Sequence, residues 1–146
     1  LHSNINQYTK SGSAPIKAAG RGETTIGIVF MHDAVKQAVK GFPVKVVAPA
    51  EGTGYEIGSM SIIDGARNMK EAKAFYDWAL SADAQNLALE VNAFQVPSNT
   101  GAKTSESAPD MSSIKLIDYD FKTYGSSATR KRLLKKWDDE VSVLAQ

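Results

Sequence analysis

Gly22-Glu23-Thr24-Thr25-Ile26-Gly27-Ile28-Val29-Phe30-Met31-His32-Asp33-Ala34 is the stretch on which the reading of this chain turns. An apolar run from Ile26 to Met31 stops at His32 and Asp33, and a helix-forming segment, Ala34 to Lys40, follows at once. Continuous apolar runs of this length read as buried parallel strands, and the carboxyl ends of such strands are where α/β folds present ligand-contacting groups. Two adjacent polar side chains at that end mark a contact point for a small molecule.

Working outward, Ser11-Gly12-Ser13-Ala14-Pro15 carries a capping residue with Pro close behind, a helix-start signal. It predicts a short helix over Ile16 to Ala19, ended by Gly20 and Gly22. The strand Thr25 to Phe30, the helix Ala34 to Lys40 and a second strand Val44 to Ala48 then make a βαβ unit with a parallel sheet. Pro49 to Gly54 breaks the pattern as a crossover, and Tyr55 to Ile63 reads as extended up to the turn at Asp64-Gly65. Asn68 is placed to cap a helix Met69 to Leu80, with Glu71 at the favourable third position, and Ser81 to cap a helix Ala82 to Val91. Ala72, Phe75 and Ala79, then Ala84, Leu87, Ala88 and Val91, recur at helical spacing and are expected in the core. Phe94 to Pro97 and Ile114 to Tyr119 read as short extended pieces on either side of a polar loop, Ser98 to Pro109. A last helix, capped by Ser126 or Ser127 and running to about Leu144, presents Leu133, Leu134, Trp137, Val141 and Leu144 on one face. The fold class is α/β.

The 146 residues suffice for one medium domain with a real core. A net charge of +1 offers no general field for nucleic acid or an anionic membrane, and no apolar run approaches the roughly 20 residues that cross a bilayer. Without cysteine there are no disulfides, thiolate metal sites or thiol nucleophiles. The chain opens on Leu1 rather than Met with no signal peptide, and Leu1 to Asn6 reads like the middle of a chain, so a fragment is expected.

Four groups are candidate sites. His32 and Asp33 either hydrogen-bond a ligand from a strand end, or Asp33 is the N-cap of the next helix with His32 an exposed neighbour. Ser11 and Ser13 either hold an anion with the free amides of a helix start or serve as caps, capping being the favoured reading. Tyr55 and Glu56, after the glycine turn, either meet a ligand's hydroxyls or form an exposed hinge pair. The run Arg130-Lys131-Arg132 with Lys135 and Lys136 is followed on the same helix by Asp138-Asp139-Glu140, the pattern of a solvated face, and no nucleic-acid partner is expected. Two histidines, no Gly-x-Ser-x-Gly elbow and no His-Glu-x-x-His helix argue against an enzyme. No cofactor and no metal are expected.

Tyr8 to Pro15, Gly22-Glu23-x-x-Ile26-Gly27-Ile28, His32-Asp33, Gly54-Tyr55-Glu56-Ile57-Gly58, Asn68-x-x-Glu71-Ala72-x-x-Phe75-x-Asp77-Trp78 and Phe94-x-Val96-Pro97 follow one another in this order. In that order the chain resembles the C-terminal half of a type 2 periplasmic solute-binding protein of an ABC importer, in the branch of iron(III) and sugar-phosphate binders. The resemblance implies two three-layer α/β/α lobes joined by crossing strands, with ligand between them. It places residues 1–52 in the second lobe, 53–104 across the crossover strand and the first-lobe helices, and 105–146 back in the second lobe. It also implies an N-terminal half outside this chain, or a second copy or swapped arrangement covering the faces left open. ABC permease subunits are the implied protein partners, the compartment is periplasmic or extracellular and lipid-anchored, and no membrane insertion is implied. Ferric binders of this branch carry an adjacent Tyr pair where this chain has Met31-His32-Asp33, and no Tyr-Tyr occurs in the sequence. Sugar-phosphate binders carry a His-Asp pair and a downstream Glu, matching His32, Asp33 and Glu56. A phosphorylated sugar or similar small polar anion is therefore the implied ligand, with ferric iron the alternative within the family. A ligand-sensing domain of a transcription factor is the alternative outside it.

Overall fold

In the computed structural model, which describes residues 1–144, six α-helices are strung along extended connections. They are α1 (Ala14–Gly20), α2 (Met31–Val39), α3 (Met69–Ala79), α4 (Ala82–Glu90), α5 (Phe121–Tyr124) and α6 (Ser127–Lys136). A π-helical turn, Trp137–Val141, and a 3-10 turn, Ser142–Leu144, continue α6, and the side chain of Leu144 lies outside the described residues. The helices pack in neighbouring pairs, α1 on α2, α3 on α4 and α5 on α6.

Local chemistry explains most of these boundaries. The Ser81 hydroxyl accepts from the Ala84 amide at 3.2 Å and Ser126 accepts from Thr129 at 3.2 Å, as their capping positions lead one to expect. Asn68 stands at the N-cap of α3 but its side chain makes no capping bond. Gly41 (φ +85°) turns the chain after α2, and the Phe42 side chain then packs on Gly20 at the end of α1, where an added Cβ would lie 3.3 Å from the ring.

The core is small: Ile16, Ala34, Val35 and Phe94, with Gln37 as its buried polar member. Of the core face expected on α3, Phe75 is instead 60% exposed, and it tilts against the 50% exposed Trp78 at 5.5 Å. The half-buried stripe of that helix is Met69, Ala72, Tyr76 and Ala79. On α4, Ala84 and Ala88 are half-buried while Leu87 and Val91 are exposed, and on α6 Leu133 and Leu134 are exposed too.

The segments expected as strands run extended but form no ladder among the described residues; one isolated parallel bridge joins Thr53 to Leu116. Residues 25–30 and 44–48 keep the expected order around α2 without pairing to each other. Consecutive strands of a parallel sheet are not obliged to be sheet neighbours. Their alternation is nevertheless that of strands: Gly27 and Val29 are half-buried, Ile26, Ile28 and Phe30 exposed, and Val44, Val46 and Ala48 are half-buried around exposed Lys45 and Val47. An apolar residue on both faces is the mark of a strand made to be covered twice. The exposed area, 11535 Å² for 15.7 kDa, stands well above the roughly 7,300 Å² of a compact monomer of this mass.

Candidate functional site

The run from Phe30 to Asp33 folds differently from its expected pattern, and the difference decides what Asp33 is. The backbone stays extended through Phe30 (φ −66°, ψ 138°) and turns helical at Met31, so α2 begins three residues before the expected Ala34. Phe30 is the N-cap, its carbonyl accepting from the amides of Asp33 (3.1 Å) and Ala34 (3.3 Å), and no side chain caps this end. Asp33 is thus not the N-cap. It is the third residue of the helix, where a carboxylate favours the positive end of the dipole. The His32 ring stacks on Phe30 at 5.5 Å and 13°, with Nε2 3.9 Å from the Asp33 Oδ2. Their side chains are 29% and 26% exposed, open enough to meet a solute.

His32 faces a groove of about 1120 Å³ walled by residues 28–32, residues 53–58, α4 and residues 93–98. Tyr55, Glu56 and Gly12 are also among its lining residues. His32, Tyr55 and Glu56 are therefore brought to one groove, while Asp33 stands beside His32 and Ser11 and Ser13 flank Gly12. Ser13 is the N-cap residue of α1 without a side-chain capping bond, and Pro15 sits in the first turn. The Ser11 carbonyl accepts from the Thr9 hydroxyl at 2.8 Å and from the Ala14 amide at 3.2 Å, which fixes the loop just ahead of α1.

The Tyr55-Glu56 wall is held by the parallel bridge. The Thr53 amide donates to the Lys115 carbonyl at 2.9 Å, and the Ile117 amide donates to the Thr53 carbonyl at 3.0 Å. Gly52 (φ +121°) permits this approach, since a Cβ there would lie 3.3 Å from Ile117 Cγ2 on a backbone that side chains rarely adopt. The groove also takes in Gln85 and Lys103, which the sequence assigned to a core helix and a polar loop. Gln85 is locked in place, donating to the Ser98 hydroxyl at 3.0 Å and accepting from the Asn99 amide at 2.9 Å. A polar residue breaking the small apolar stripe of α4 was the available sign. Glu23, part of the motif Gly22-Glu23, is engaged elsewhere. Its two oxygens take both arms of Arg21 at 2.6 and 2.7 Å, and that hydrogen-bonded pairing holds its carboxyl below the usual range.

Among the described residues no group of three His, Asp or Glu side chains gathers closely enough to hold a metal ion. A histidine with a carboxylate next to it, and a tyrosine and a second carboxylate in the lining of the same groove, are suited to accept from and donate to hydroxyl groups. The groove exceeds the volume of most small-molecule sites, and much of its wall is apolar, so His32, Tyr55, Glu56, Gln85 and Lys103 are among the few groups in it suited to a small polar ligand.

A family model described as bacterial extracellular solute-binding protein matches residues 1–90. The solved structure of the periplasmic binding protein AfuA from Actinobacillus pleuropneumoniae, with exogenous fructose-6-phosphate bound, is 51% identical with a TM-score of 0.90, over 98% of this chain and 45% of that one. The structure of the periplasmic binding protein P5PA is 41% identical with a TM-score of 0.87, over 97% and 45%. An uncharacterized protein of Haemophilus influenzae is 48% identical over 144 residues, 98% of this chain and 42% of the relative. The chain thus has the fold of part of a periplasmic binding protein, the α/β architecture expected of it, and spans less than half the length of these relatives.

Proposed function

Because this chain belongs to the bacterial extracellular solute-binding protein family, we propose that it forms part of the substrate-binding component of an ABC importer whose ligand is a phosphorylated sugar. What carries the reading is the meeting of His32, Tyr55 and Glu56 in one groove with Asp33 alongside, in a chain 51% identical to a binding protein solved with fructose-6-phosphate. The imidazole of His32 and the carboxylates of Asp33 and Glu56 hold sugar hydroxyls, and Tyr55 stacks on the ring or donates to it. Ser11 and Ser13 offer hydroxyls from the start of α1 to the phosphate.

The rest of the polypeptide supplies the other wall and covers the apolar strands. Residues 1–52 and 105–146 belong to one lobe and 53–104 to the crossover and the other lobe, an assignment supported by the Thr53–Leu116 bridge at the first boundary. Closure of the lobes on ligand presents both to the permease. The protein works in the periplasm and performs no chemistry on what it carries, since a binding component releases its ligand unchanged.

Calorimetry on the full-length polypeptide tests this directly. Glucose 6-phosphate should bind, glucose and inorganic phosphate far more weakly, because each keeps only half of the contacts. Equal binding of phosphate and sugar phosphate, or binding of neither, would contradict it.

A further inference from the structure

Tyr55 lines the groove and is in contact with a chain of three more aromatic rings that do not line it. Tyr55 meets Phe121 edge-on (6.0 Å, 65°), Phe121 meets Tyr119 edge-on (5.0 Å, 75°), and Tyr119 stacks with Tyr124 (5.2 Å, 29°). Edge-to-face and offset arrangements are the ones aromatic quadrupoles favour. The same two stretches of chain are joined by the Thr53–Leu116 bridge, so the C-terminal segment grips the crossing segment twice, by backbone at residue 53 and by rings at residue 55.

The element that carries the rings is built for it. Phe121 and Tyr124 open and close α5, three residues apart and so on one side of its single turn. Asp120 caps that turn, accepting from the Thr123 amide at 3.0 Å. Gly125 ends it where a Cβ would lie 2.5 Å from the Phe121 carbonyl oxygen. Beyond Tyr55 the chain runs without regular structure to Ile63, with Ile57 and Ile63 69% and 80% exposed. The Phe121 ring is the aromatic contact of Tyr55, and Glu56 is the next residue.

We propose that Phe121, backed by Tyr119, is a positioning residue that fixes Tyr55 and thereby aims Glu56 into the ligand groove. The ligand side of this inference rests on the sugar-phosphate reading of Glu56; the geometric side does not. In the full-length polypeptide without ligand, Phe121→Ala should shift and broaden the amide resonances of Tyr55 and Glu56 and leave those of His32 and Asp33 in place. Phe121→Tyr keeps the ring and should restore them, and Tyr119→Leu should give a smaller displacement in the same direction. With glucose 6-phosphate as probe, Phe121→Ala should weaken affinity roughly 2- to 12-fold, the worth of one aromatic pair, and add nothing to the loss already caused by Glu56→Gln. Unmoved Tyr55 and Glu56 amides in Phe121→Ala, or an equal loss with and without Glu56→Gln, would overturn the proposal. Should the wild-type protein bind no glucose 6-phosphate, the functional reading falls and the ligand-free spectra still decide the role of Phe121.

Discussion

Asp33 sits at the third position of α2, in its first turn, and His32 beside it is held flat against Phe30. That arrangement makes the two side chains neighbours of a partly positive helix end and leaves both accessible. It also removes one of the two readings of the Asp: Phe30 holds the N-cap position with no side-chain capping bond, so Asp33 is not the cap. Another residue is constrained more tightly. A Cβ on Gly27 would lie 2.8 Å from the Pro15 carbonyl carbon and oxygen, both backbone, so the extended segment crosses α1 only because this residue has no side chain. Gly27→Ala should cost about 1–3 kcal/mol in urea unfolding of the full-length protein. Gly58→Ala, with open space around the added carbon, is the control and should stay within about 0.5 kcal/mol.

At the scale of elements, the helices are capped units whose ends respond to single substitutions. Ser81→Ala or Ser126→Ala removes the acceptor for the Ala84 or Thr129 amide and should lower stability by about 1 kcal/mol, read from denaturant midpoints at unchanged m. The cap of α5 should also respond to acid. Thr123, through its side chain and its amide, holds the Asp120 carboxyl below the ordinary aspartate range. A depressed folded-state pKa stabilises above the unfolded value and is lost as pH falls through the folded one. The α5 amides should therefore stay put from neutral pH down to the ordinary aspartate range and shift only below it. A transition near pH 6 would contradict this. Helix existence was legible from Ser81, Ser126 and the helical spacing of small residues. The start of α2 was not, because Phe30 and Met31 fit the end of a strand and the start of a helix equally well. Strand pairing was not legible either: residues 25–30 and 44–48 carry the alternation of strands yet form no ladder among the described residues.

Taken as a whole molecule, the chain leaves roughly 4,200 Å² more surface open than a compact monomer of its mass, several times what one partner contributes to a standard protein interface. Much of it is strand-like and apolar: Ile26, Ile28, Val47, Ile57 and Ile63 are each more than 60% exposed. The 146 residues alone should therefore bind the dye ANS and self-associate, and the full-length polypeptide should do neither. A monomeric, dye-free 146-residue chain would show that these faces need no cover. Of the candidate groove, His32, Tyr55 and Glu56 were marked by sequence, while Gln85, Lys103 and the rings in contact with Tyr55 became visible only when helix, loop and C-terminal segment met. Whether His32, Asp33 and Glu56 hold the sugar is the central claim, and one titration decides it. Full-length protein is titrated calorimetrically with glucose 6-phosphate as wild type, Asp33→Asn and Glu56→Gln. Loss of a hydrogen bond to a charged acceptor predicts that each variant binds about 10- to 100-fold more weakly. Wild-type affinity in both variants would contradict the account.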